Sequence, residues 1–154
     1  GLLRLLKQKL TCSPAAKSFL PGAGDFASVP LASQSVDLAL ACSAFTAQPE
    51  QGGESGLEEL RRVVRPGGAI VLIWPRPEDR RWLVERGFHY VALPGGQQMT
   101  VRFPSFTAAL RCARRFYAHN QNVLRYLLRT RQPEVPFSVL GFNAPCDYCW
   151  LRIR

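Results

Sequence analysis

The stretch that decides the fold is E59-L-R-R-V-V-R-P-G-G-A-I-V-L-I-W-P75. A basic helical segment runs into Pro66-Gly67-Gly68, and a wholly apolar run follows at once. Upstream, Leu57, Leu60, Val63 and Val64 recur at helical spacing and define one apolar face, which leaves Glu59, Arg61, Arg62 and Arg65 toward water. Ser55 with Glu58 three residues on has the form of a capping box at the start of this helix. Pro66 disfavours the α conformation at Arg65, and Pro-Gly suits a tight turn. Residues 69–74 then read as a strand buried on both faces, as parallel sheets require. The order is helix, turn, strand, opposite to a phosphate-binding P-loop, so these glycines serve backbone geometry.

The same alternation extends in both directions. Residues 36–45, V-D-L-A-L-A-C-S-A-F, form an almost unbroken apolar run that predicts a second doubly buried strand. A polar loop over 48–56 separates it from the helix. Downstream, the pattern predicts a helix over 78–86 stopped by Gly87, a strand over 88–93 and a short strand in M-T-V-R-F. Ser105 is placed to cap a helix whose Phe106, Ala109, Leu110, Ala113 and Phe116 face inward, and another helix lies near 119–130. The closing Y-C-W-L-R-I-R predicts a strand near a sheet edge. At the other end, 2–10 predicts a short helix within an irregular N-terminal segment, 1–24. Strands separated by helices imply an α/β protein with a mostly parallel sheet, and 154 residues suit a single domain.

The formal net charge of +9 favours acidic partners. Arg102, Arg111, Arg114, Arg115, Arg125, Arg129 and Arg131 face few acids in the C-terminal half, with Phe116, Tyr117 and Tyr126 interleaved. That pattern suits either a solvated surface or nucleic-acid binding. The five cysteines, Cys12, Cys42, Cys112, Cys146 and Cys149, are odd in number and lie in apolar contexts, which predicts reduced thiols and a cytoplasmic location. No apolar stretch approaches the ~20 residues of a membrane-spanning helix, and Cys146-x-x-Cys149 lacks the partners of a metal site.

Three blocks carry a family resemblance. They are G-D-F-A-S-V-P-L (24–31), S-V-D-L-A-L-A (35–41) and L-E-E-L-R-R-V-V-R-P-G-G-A-I-V-L (57–72). In this order and separation they resemble the C-terminal two-thirds of a class I S-adenosylmethionine-dependent methyltransferase of the type 11 kind. The resemblance implies a Rossmann-like sheet with flanking helices, incomplete at the N-terminus because the family's glycine-rich cofactor loop is not visible. It implies S-adenosylmethionine as cofactor, Asp25 as acceptor for the adenine amino group, Phe26 against the ring, and Ser43, Ala44 and Phe45 after the second block lining the methionine end. Asp37 matches a structural acid of the family. A small molecule or an RNA would be the methyl acceptor; no catalytic residue is assigned. Two readings stay open: a methyltransferase, or a non-catalytic interaction module binding RNA or protein through its basic half. A sheet missing its first strands exposes an edge, which a protein partner would cover.

Overall fold

The structure is a computed structural model that describes residues 4, 8, 20–96 and 99–154. The helix expected over 2–10 lies outside the described residues except for Arg4 and Gln8, both helical. The elements are β1 (Val36–Cys42), α1 (Gly53–Val63), β2 (Val64–Ile73), α2 (Arg80–Glu85), β3 (His89–Ala92), β4 (Thr100–Arg102), α3 (Phe106–Phe116), α4 (Gln121–Thr130), β5 (Glu134–Pro136), α5 (Phe137–Leu140) and β6 (Asp147–Arg152). Single 3-10 turns at Pro49–Gln51 and Pro77–Asp79 precede α1 and α2.

Helix α1 passes into β2 without a linker, and the opening stretch shows how. β1 and β2 pair in parallel, with Leu38 opposite Ala69, Leu40 opposite Val71 and Cys42 opposite Ile73. Between the Val36–Val64 and Leu38–Ala69 pairs the register shifts, so Pro66, Gly67 and Gly68 are looped out of the ladder. Gly67 has φ +80°. Its N–H donates to the Ile153 carbonyl (2.8 Å), while the Ile153 N–H donates to the Gly68 carbonyl (2.9 Å). Reciprocal bonds of this kind are antiparallel, and the extra left-handed glycine makes a bulge. Gly68 answers a different need. A Cβ there would stand 2.6 Å from the Asp37 carbonyl oxygen, 2.6 Å from Val64 Cγ1 and 2.9 Å from the Arg65 carbonyl oxygen. Only a residue without Cβ lets β1 and β2 close at this point.

Four strands form one sheet in the order β1-β2-β6-β3, and β4 pairs antiparallel with β5 in a separate ribbon. The molecule is therefore mixed α/β. The mostly parallel sheet expected from the sequence is found at β1–β2 and does not extend to β4–β5 or to the contact of β2 with Ile153. The closing strand, expected at an edge, lies between β2 and β3. β1, expected to be buried on both faces, is itself an edge of the described sheet, and Leu38 and Leu40 are 53% and 59% exposed. An apolar run shows that a strand is favoured but not how many neighbours it has.

The chain divides into two compact units, one of residues 1–89 with 149–154, the other of residues 90–148. The core of the first gathers Leu57 and Val63 of α1, Val64, Ile70 and Leu72 of β2, Leu83 of α2, Phe45, Phe88 and Cys149. The alternation of Ile70 and Leu72, fully buried, with half-buried Val71 and Ile73 gives β2 one face for this core. The second unit packs Ala109 and Ala113 of α3 against Val123 and Leu127 of α4, Val135 of β5 and Leu140 of α5. Ser105 caps α3 as expected, its Oγ accepting from the Ala108 N–H at 3.1 Å. Phe116, expected inward, is 67% exposed at the last residue of α3.

Replacing Gly68 with alanine is expected to lower stability by about 2–4 kcal/mol, because backbone atoms must give way. Gly67→Ala meets open space and has only the left-handed backbone against it, about 1 kcal/mol. Urea unfolding midpoints of the two variants, at constant slope, would check this ranking.

Candidate functional site

The 24–31 block forms a tight turn held by its own backbone and by α1. The Asp25 carbonyl accepts from the Ser28 N–H at 3.2 Å, and the Asp25 side-chain Oδ1 accepts from the Ala27 N–H at 2.8 Å. Asp25 thus shapes its own turn, in the manner of an Asx turn. An ionised carboxylate has more lone pairs than this one bond uses, so the exposed side chain still has capacity to accept from a ligand. Asp25 and Phe26 line a cleft of about 350 Å³, together with Gly22–Gly24, Val29 and Pro30.

The turn is anchored by two residues that the sequence pattern assigns to solvent. Glu59 and Arg62, one helical turn apart on α1, form an ion pair at 2.7 Å. Glu59 Oε2 accepts from the Val29 N–H at 2.9 Å. Arg62 donates to the Val29 carbonyl (3.0 Å), the Leu31 carbonyl (2.9 Å) and Ser33 Oγ (3.2 Å). The pair therefore clamps the 29–33 segment to the helix, where the sequence suggests only a solvated face. The hydrogen bond from Arg62, then that from the Val29 amide, bring the Glu59 carboxyl down from 4.5 to about 2. The Arg62 guanidinium is held above its ordinary value, first by its bond to Glu59. The signal in the sequence is the acid–arginine pair three apart, but the partners of this pair lie some thirty residues away.

The other expected site residues cluster at the carboxyl end of β1. Ser43 takes φ +53° and its N–H donates to the Ile73 carbonyl at 3.0 Å. Ser43 and Ala44 are exposed. Phe45 is only 7% exposed, and its ring lies against Gly52, Gly56 and Trp82 in the core. It also meets the Phe26 ring edge-on, with centroids 5.7 Å apart. That contact brings the Asp25 turn to the end of β1, so Asp25, Phe26, Ser43, Ala44 and Phe45 all belong to one end of the sheet. Phe45 acts as the support beneath Phe26, and the polar surface is left to Asp25 and Ser43. Asp37 pairs with Arg65 at 2.6 Å, an exposed ion pair beside the looped-out glycines.

The expected cap at Ser55 is not used. Helix α1 starts earlier, at Gly53, and Ser55 Oγ donates back to the Gly52 carbonyl at 3.4 Å. The close packing of Phe45 on Gly52 and Gly56 fixes the start of the helix instead.

Residues 3–72, a little under half of the chain, match the model of a methyltransferase domain. The match ends within β2 and includes both the Asp25 turn and the clamp on α1. It supports a class I S-adenosylmethionine-dependent methyltransferase-like domain in this part of the chain, and it reaches further toward the N-terminus than the three quoted blocks. No curated protein matches the chain. Among the described residues, no helix is long and apolar enough to cross a membrane.

The clamp has a pH signature. Because the Glu59 pKa is lower in the folded chain than in the unfolded one, its contribution is complete above about 4.5 and is lost as pH falls through about 2. The Val29 amide resonance, followed by NMR, is expected to titrate with a midpoint near the lower value. Glu59→Gln should remove that titration, and a midpoint near 4.5 would mean the clamp is absent in solution.

Proposed function

We propose that the β1–α1–β2 unit is a Rossmann-like cofactor platform of S-adenosylmethionine-dependent methyl transfer. The observation that carries this reading is the Phe26–Phe45 contact, which joins the Asp25 turn to the carboxyl end of β1. Ligands of open α/β sheets lie beyond the carboxyl ends of strands, and Phe26, which lines the cleft at Asp25, touches Phe45 just past the end of β1. The residues suit the adenine end of the cofactor. Asp25 keeps acceptor capacity for an exocyclic amino group, Phe26 presents ring area, and the clamp from Glu59 and Arg62 fixes the 29–33 segment that follows them. Ser43 and Ala44, exposed just past the end of β1, are the residues we assign to the methionine portion.

When bound, the cofactor supplies a methyl group already activated on a sulfonium centre. The protein then has to bind, orient and exclude water, which needs no dedicated acid–base pair. The acceptor is a small molecule or an RNA, and this reading fixes neither. The cytoplasm remains the expected location.

Calorimetric titration with S-adenosylhomocysteine tests the platform. Micromolar binding is expected for the native chain. In Asp25→Asn the side-chain oxygen can still serve the Ala27 amide, but the second position becomes a donor. A loss of about tenfold or more is expected, the scale of a hydrogen bond to a charged group. Binding unchanged in this variant, or no binding by the folded native chain, would overturn the assignment.

A further inference from the structure

Positive charge is denser in the second unit. The first unit holds thirteen basic and nine acidic side chains, whereas the shorter second unit holds seven arginines against Glu134 and Asp147. Both of those acids are engaged. Glu134 pairs with Arg102, and Asp147 Oδ2 accepts from the Tyr90 hydroxyl at 3.0 Å. Helices α3 and α4 contain no acid. Among the described residues, Arg111, Arg114, Arg115, Arg125, Arg129 and Arg131 have no carboxylate partner.

Four of these arginines, Arg111, Arg114, Arg115 and Arg125, border depressions in the surface. Between α3 and α4 lies a depression of about 480 Å³, with Ala113, Tyr117, Leu124 and Leu128 among its walls and Arg114 and Arg125 at its margins. Leu128 is 46% exposed. Arg114 also borders a second depression of about 410 Å³ on the flank of α3, which adds Arg111 and Arg115. An aliphatic floor with guanidinium margins favours a partner that is apolar along one stripe and anionic beside it. Single-stranded nucleic acid would need aromatic faces spaced for successive bases, and Tyr117 is the sole aromatic lining the groove.

We propose that the α3–α4 groove is a docking site for an acidic amphipathic helix of a partner protein. Leucine-like anchors seat on Leu124 and Leu128. Carboxylates on the flanks pair with Arg114 and Arg125, and those further out with Arg111 and Arg115. Arginine suits this role because its planar fork accepts a carboxylate in bidentate geometry. The docking mode is a helix laid into a groove with anchors at helical spacing. The inference stands apart from the reading of the first unit, whose binding of S-adenosylhomocysteine it leaves unchanged.

The probe is a fluorescein-labelled 16-residue peptide designed as a glutamate-rich helix with leucines at i, i+3, i+4 and i+7, titrated by fluorescence anisotropy at physiological salt. Its scrambled isomer and a 12-nucleotide oligouridylate are titrated beside it. The designed peptide is expected to bind at least about tenfold more tightly than either control. Two exposed-surface variants, Arg114→Glu with Arg125→Glu and Leu128→Asp, should each weaken it by about tenfold or more, with the circular dichroism spectrum unchanged. Equal binding of the scrambled isomer would reduce the groove to a charge patch and overturn the proposal. Tighter binding of the oligonucleotide would assign the surface to nucleic acid instead, and absence of peptide binding would equally reject it. If both variants lose secondary structure, Leu124→Gln and Arg125→Gln are to be measured in the same assay, and retained affinity there overturns it.

Discussion

The first unit depends on a single close approach, that of the Gly68 backbone to the Asp37 carbonyl. A helix must become a strand between Val63 and Val64 with no intervening loop. Pro66 keeps the helix from continuing, Gly67 supplies the left-handed step, and Gly68 admits the neighbouring strand. The looped-out glycines are held by the reciprocal pair to Ile153, while the residues on either side, Val64 and Ala69, pair in parallel with β1. Once the bulge is in place, the alternation of β2 turns Ile70 and Leu72 toward the core beneath α1. A one-residue error at this point would reverse every side chain of β2. The glycines therefore set the register of the sheet as well as the turn.

Helix α1 then uses its faces for different purposes. Leu57 and Val63 bury one stripe, while Glu59 and Arg62, a turn apart, reach the segment that carries Asp25 and Phe26. Packing alone would leave this segment dependent on Phe26 and Val29. The ion pair adds directional bonds to backbone groups at 29 and 31, which fixes orientation as well as proximity. Phe45 completes the arrangement from below. Its ring fills the space that glycines at 52 and 56 leave open, so the start of α1, the end of β1 and the Asp25 turn meet at one aromatic side chain.

What could be read from sequence was local. Pro66-Gly67-Gly68, the periodicity of α1 and the Ser105 cap each depend on neighbours within a few residues, and each is present in the structure. The exposure of β1, the interior position of β6 and the antiparallel β4–β5 ribbon depend on which strands become neighbours, and no short pattern encodes that. The same division holds at the candidate site. Asp25 and Phe26 stand out because they lie in one short block. The roles of Glu59 and Arg62 were hidden, because their partners are thirty residues away and a charged helical face normally needs none. Phe45 was legible as a neighbour of the site but not as a core side chain, since one aromatic after a strand can turn either way. Ser55 had the form of a cap, and tighter packing two residues earlier displaced it from that role.

The distribution of charge separates the chemistry of the two units. In the first, arginines meet acids: Arg62 with Glu59, Arg65 with Asp37, Arg81 with Glu85 and Arg86 with Glu54. Arg86 also covers the Trp82 ring at 4.2 Å, so its charge and its stem are both used internally. Arg61 and Arg76 of the same unit are used on neutral acceptors, the Arg86 carbonyl and Gln51 Oε1. In the second, Arg115, Arg129 and Arg131 lie over aromatic rings at 5.7, 5.7 and 5.9 Å, and among the described residues no acid pairs with them. Like charges gathered on two packed helices repel one another and oppose folding unless solvent or a partner screens them. Their concentration beside an apolar groove gives that opposing term a counterpart, because an anionic partner would relieve the repulsion and cover the exposed leucine in the same event.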